Sequence, residues 1–185
     1  VPAANVLETG FSNINAIMHP AGMLGNAGWI EKSGGDFFWY REGVTPAIGA
    51  WIDAVDAERL AIVRLLGLSS QRFVDIFHHA GLTTVAARDS GSAYQAIHNS
   101  EPNFTIKSPS ALDHRYIRED VGYGLVPMAE IGRLLGVKTP VMDALITLAS
   151  VALGDDFRTD GLTLEKMGLA GVTAGSLPRI LAEGF

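Results

Sequence analysis

The feature that most restricts what this chain can fold into is the helical spacing of its apolar residues, with no alternating strand–helix pattern beside it. From Thr45 to Leu66, Ile48, Ile52, Val55, Ile62 and Leu66 recur at the α-helical period, and Asp53, Asp56, Glu58 and Arg59 mark the wetter side. Thr45 offers a cap, Pro46 suits the first helical position, and Gly67 supplies a stop. Further helices are expected over about 12–26, 70–79, 90–98, 121–135 and 140–153, with a weaker one near 176–183. The first of these carries Gly22, Gly25 and Gly28 at every third position, which predicts close packing or a bend near His19-Pro20. Residues 34–43 read as a turn with a short extended segment, and 100–113 as a loop holding a short strand over 104–107. The expected architecture is all-α, with short helices around one core and one domain over 1–185.

Composition narrows the function classes. Hydrophobic residues make up 48% of the 185 and charged residues 18%, the balance of a buried core and not of a disordered chain. The net charge is -6 and the Lys and Arg residues are scattered singly, so no basic stripe awaits a nucleic acid. The absence of cysteine removes disulfides and thiolate metal sites and makes a reducing cytoplasm the expected compartment. The longest apolar stretch, Val141 to Leu153, contains Asp143 and is too short to span a bilayer. No basic and apolar leader opens the chain, and Val1 in place of Met is what a processed chain or a piece of a longer protein would show. Gly22, Gly25 and Gly28 follow a helical pattern and not a strand, so they make no dinucleotide cradle. His78, His79 and His98 lack metal-ligand spacing, no metal site is expected, and no G-x-S-x-G marks a hydrolase.

Two segments about a hundred residues apart hold the candidate chemistry. Asn13-Ile14-Asn15 leads to His19-Pro20, whose imidazole is suited to proton transfer near neutral pH. A hydrogen-bonded His at a helix start or bend is the plain alternative. Glu119-Asp120 is expected to open the 121–135 helix, where an acid favours the helix dipole. Alternatively, Asp120 orients His19, fixing its tautomer and stabilising the imidazolium. Arg115 can grip a carboxylate with two parallel hydrogen bonds, and it shares a cleft with Asp120 if the chain turns between them. Its alternative is a surface ion pair of small worth with Asp113 or Glu119.

These segments resemble the octopine/nopaline (opine) dehydrogenases. Asn15, His19-Pro20, Leu24, Asn26 and Gly28 look like that family's N-x-x-x-H-P with a downstream N-x-G, and Arg115-x-x-x-Glu119-Asp120-Val121 with Gly124-Leu125-Val126-Pro127 looks like its second signature. Val137-Lys138-Thr139-Pro140, Asp143 and Ile146 resemble the next helix, so the match runs from about residue 12 to 153. The resemblance implies the helical substrate domain of the 6-phosphogluconate-dehydrogenase C-terminal-like type, preceded in similar proteins by a Rossmann domain for NAD or NADP. It implies reductive condensation of an amino acid with a 2-oxo acid such as pyruvate, with a homodimer compatible. By that resemblance His19 and Asp120 are catalytic, Arg115 holds a substrate carboxylate, and Asn15 faces the cleft. Gly122-Tyr123 departs from the Pro that often follows the Val, which is expected to loosen a loop beside Asp120. Two other readings stay open: a two-domain reductase of a simple 2-oxo acid, and a non-catalytic helical dimerisation or binding module. Reductases of the first kind typically use a lysine, and none of Lys32, Lys107, Lys138 and Lys166 sits in such a signature.

Overall fold

The computed structural model describes Ala3 and residues 5–184. Its helices are α1 (Val6–Phe11), α2 (Asn15–Gly25), α3 (Ala27–Ser33), α4 (Pro46–Leu65), α5 (Phe73–His79), α6 (Val85–Asp89) and α7 (Ala93–His98). The second half adds α8 (Arg115–Asp120), α9 (Val126–Leu134), α10 (Pro140–Leu153), α11 (Phe157–Asp160) and α12 (Leu177–Glu183). Among the described residues there is no β-strand, and no helix is long and apolar enough to cross a membrane.

Helix α2 is the central rod. It is buried from Ala16 through Met23, and α4, α8 and α10 pack around it. A helix that is apolar on every side must be enclosed on every side. Pro20 lies inside it, so His19-Pro20 is neither a start nor an end. The expected close packing is present instead. A Cβ on Gly22 would come within 2.7 Å of Trp39 Cη2, and one on Gly124 would fall well under 3.0 Å from Ala16 Cβ. Asn26 Nδ2 donates to the carbonyls of Gly22 and Gly43 at 2.8 and 2.9 Å, tying the end of α2 to the chain after Trp39.

Helix α4 follows the sequence closely. Thr45 accepts from Ile48 N, Pro46 opens the helix, and Gly67 has φ +64° just beyond it. Its wetter side is different from the expectation. Asp56 and Arg59 are buried, with Arg59 fully enclosed. Arg59 pairs with Asp56 at 2.6 Å and donates to the Phe11 carbonyl at 2.7 Å. The acids of α4 serve the starts of three neighbouring helices. Asp53 accepts from Ala93 N at 2.9 Å, Asp56 from Phe73 N at 2.8 Å, and Glu58 from Val141 N and Met142 N at 2.7 and 3.0 Å. Helix N-termini carry unsatisfied N–H groups and positive partial charge, so a row of carboxylates can bind them where a periodicity argument would place water.

Three other expectations change. The extended segment in 34–43 reduces to one bridge, Phe38 to Lys107, followed by a π-helical turn over Trp39–Gly43. The strand expected over 104–107 is that same isolated bridge. The 121–135 helix starts earlier. Helix α8 begins at Arg115, capped by His114, and runs through a π-helical turn, Val121–Leu125, straight into α9. Gly122-Tyr123 therefore sits in a helical turn and not in a loop.

Candidate active site

The pairing of α2 with α8 builds the site. His19 projects from the middle of α2 and is 5% exposed. Its Nδ1–H donates to Asp120 Oδ2 at 2.7 Å, across 101 residues of sequence. Asp120 is likewise buried. It ends α8 with helical backbone continuing beyond it, so the helix-dipole account of this acid fails. A buried carboxylate far from any helix start is explained by its imidazole partner. An ionised carboxylate can only accept, so the proton on Nδ1 faces Asp120, and in the neutral imidazole Nε2 is the nitrogen that carries the lone pair. His19 Nε2 is buried and has no hydrogen-bond partner.

Aromatic rings hold the imidazole. Tyr116 stacks on it with centroids 3.6 Å apart and planes 11° apart, and Trp39 meets it edge-on at 5.6 Å and 78°. Trp39 is fully buried, and its Nε1–H also lacks a partner. Tyr40 is buried beside the Tyr116 hydroxyl, and burial first and that neighbour second push its phenol well above the usual value. His114 meets Tyr116 edge-on at 4.7 Å and accepts from Tyr116 N through Nδ1 at 3.3 Å. Burial first, then the Arg115 and His19 charges, hold its imidazole below the usual 6.5.

The other candidates lie at the rim. Asn15 is exposed at the start of α2, one turn before His19 and on the same face of the helix. Arg115 does not converge on Asp120, because the chain between them is helical and five residues turn the two side chains to different faces. Its guanidinium is exposed and pairs with Glu119 at 3.1 Å, the arrangement weighed as the plain alternative. Arg118 pairs with Asp113 and with Asp155. The sequence reading missed Tyr116. One signal for Tyr116 was present: it precedes Asp120 by four residues, the spacing that puts two side chains on one helical face.

An apolar cavity of about 580 Å³ lies between α1, α9 and the C-terminal segment, and none of His19, Asp120, Arg115 or Asn15 lines it. The chemistry is better located by the buried His19–Asp120 pair and the free ring nitrogen than by cavity size. Among the described residues no cluster of His, Cys, Asp and Glu could hold a metal ion. Among the described residues no strand leads through a glycine turn into a helix, the element of a Rossmann dinucleotide cradle.

Comparison with known proteins gives a consistent picture. Residues 2–153 match the family described as NAD/NADP octopine/nopaline dehydrogenase, alpha-helical domain. An opine dehydrogenase of Arthrobacter sp. (strain 1C) is 39% identical over 177 residues, 96% of this chain and 48% of that protein. Protein ocs of Agrobacterium tumefaciens (strain Ach5) is 34% identical, covering 92% of this chain and 46% of that protein. A vitopine synthase of Allorhizobium ampelinum is 32% identical over 87% of this chain and 43% of that protein. The chain spans about half the length of the curated relatives it matches.

Proposed function

The chain belongs to the octopine/nopaline dehydrogenase family through its alpha-helical domain, and on that premise we propose that it is the substrate-binding and catalytic half of an NAD(P)H-dependent opine dehydrogenase. The reaction is the reductive condensation of an amino acid's amine with a 2-oxo acid such as pyruvate, yielding an N-(1-carboxyalkyl) amino acid. The observation that carries this reading is the buried His19–Asp120 pair with Nε2 left free. The nicotinamide and its hydride belong to an N-terminal Rossmann domain in the other half of a protein of this length class.

The residues here handle protons and position substrates. The amine attacks the keto carbon to give a carbinolamine, which loses its hydroxyl as water and becomes an imine. One proton must leave the attacking nitrogen and one must reach the departing hydroxyl. His19 Nε2 is the atom that takes and returns it, and Asp120 stabilises the imidazolium between the two events. Arg115 would exchange its exposed partner Glu119 for a substrate carboxylate, a trade that costs little at the surface. Asn15, one turn before His19, would offer its amide at the same rim.

The test uses the full-length protein. Oxidation of NADH or NADPH is followed with pyruvate alone and then with a panel of amino acids, in wild type and in His19→Ala. Oxidation that requires both substrates and collapses in the variant supports the proposal. Turnover with the 2-oxo acid alone would make the protein a simple ketone reductase, and no turnover with any pair would favour a binding module.

A further inference from the structure

Helix α8 brings a second constraint to the imidazole besides Asp120. The outer torsion of a histidine is broad, so one hydrogen bond at Nδ1 leaves the ring plane poorly fixed. Tyr116 and Asp120 are four residues apart on one helical face, and both touch His19. Asp120 meets the ring at its edge, 2.7 Å from Nδ1, and Tyr116 covers its face at 3.6 Å and 11°.

We propose that Tyr116 is a positioning residue for the reaction, its ring fixing the plane of the His19 imidazole so that Nε2 faces the substrate, and its π face stabilising the protonated ring. The proposal rests on the role assigned to His19 above. Tyr116 is well placed for this because its own position is determined on three sides. Its backbone N–H is bound by His114 Nδ1 at 3.3 Å, Trp39 meets it edge-on at 5.9 Å, and Tyr40 lies against its hydroxyl. An aromatic face within about 6 Å of a cation attracts it, most strongly where water is excluded, and His19 is buried. The other titratable groups that face the imidazole are Asp120 and His114, both unchanged by a substitution at 116.

The experiment compares wild type, Tyr116→Phe and Tyr116→Leu in the full-length protein. The first readout is the titration of the His19 ring protons by NMR without substrate, assigned with His19→Gln. Loss of the aromatic face in Tyr116→Leu should move the midpoint down by about one pH unit, whereas Tyr116→Phe, which keeps the face, should stay near wild type. The second readout is kinetic. Tyr116→Leu should lower kcat by about 10- to 100-fold with little change in KM, the scale expected for a misplaced catalytic group, and Tyr116→Phe should retain most of kcat. An unchanged midpoint and kcat in Tyr116→Leu would overturn the proposal. So would a loss in Tyr116→Phe as large as in Tyr116→Leu, because the hydroxyl and not the face would then matter. If Tyr116→Leu does not fold, Tyr116→Met, which also removes the aromatic face while filling the space, is read against the same outcomes. The titration needs no turnover, so a wild type inactive with every substrate pair would remove the functional reading and leave this result standing by itself.

Discussion

Adding one methyl group at Gly124 should damage a site that the methyl never touches. Gly124 lies in the π-helical turn between α8 and α9, one turn after Asp120, and abuts Ala16 of α2, one turn before Pro20. A Cβ there would stand well under 3.0 Å from Ala16 Cβ, a separation that real carbons essentially never show. Packed carbons need about 3.5–4.0 Å, so the two helices must part by roughly 1 Å. Overpacking of this kind costs about 1–3 kcal/mol of stability. The hydrogen bond between the same two helices is 2.7 Å long. Opening by about 1 Å takes it past the ~3.2 Å limit of a good bond, and Asp120 then no longer fixes the tautomer of His19. A displacement of that size at a catalytic group costs on the order of 100-fold in kcat. Gly124→Ala is therefore expected to melt lower and to lose about two orders of magnitude in kcat with the full-length protein, while KM changes little. The partner change Ala16→Gly removes the opposing methyl. The double variant should recover most of kcat, although a helical Gly costs about 1 kcal/mol of stability. A Gly124→Ala protein with wild-type kcat would refute the reasoning, and so would a double variant no better than the single.

Other predictions follow from the same geometry. Arg115→Ala should leave thermal stability unchanged, because its exposed i,i+4 pair with Glu119 is worth only about 0.3–0.5 kcal/mol. It should raise KM for the 2-oxo acid or the amino acid in steady-state assays, and an unchanged KM for both would remove Arg115 from substrate binding. Glu58→Ala strips the N-terminus of α10 of the carboxylate bound to Val141 N and Met142 N, and chemical denaturation should show a loss of about 0.5–2 kcal/mol. His114 is held below its usual 6.5, so the folded protein takes up its proton later than the unfolded chain does. Its contribution to stability is full above about pH 6.5 and is lost as the pH falls through the lower folded value. His114→Ser keeps a capping oxygen without that titration. Its melting temperature should fall less than that of wild type between about pH 7.5 and about pH 5, and equal falls would count against the linkage.

The all-helical class was legible from the chain because it rests on local chemistry, and the family and the His19–Asp120 couple were legible through the resemblance of two segments to that family's signatures. Helical spacing around Ile48, Ile52 and Val55 follows from a period of 3.6 residues, and Thr45-Pro46 and Gly67 mark ends by backbone rules alone. The half-buried Asp53 and Glu58, the buried Asp56 and the fully enclosed Arg59 were not legible as partners of the interior. A charged residue in a pattern says only that it needs a polar partner, and here those partners are the N-termini of α5, α7 and α10 and the Phe11 carbonyl. The start of α8 was hidden for a related reason, since the His114 side-chain cap and the π-helical turn carry no periodic signal.

The sequence by itself determined which residue types are available: one imidazole beside a proline, one carboxylate after a glutamate, a guanidinium five residues earlier. It also put His19 on one helix and Asp120 at the start of another, because periodicity and capping act over a few residues. Only the tertiary structure decided which of them meet. Helices α2 and α8 approach closely enough for a 2.7 Å bond because Gly124 offers no side chain to Ala16, and the helical run from Arg115 to Asp120 sends the guanidinium to the rim while it turns Tyr116 onto the imidazole face. Contacts across a hundred residues depend on the relative placement of whole helices, and that placement is set by the packing of many side chains at once.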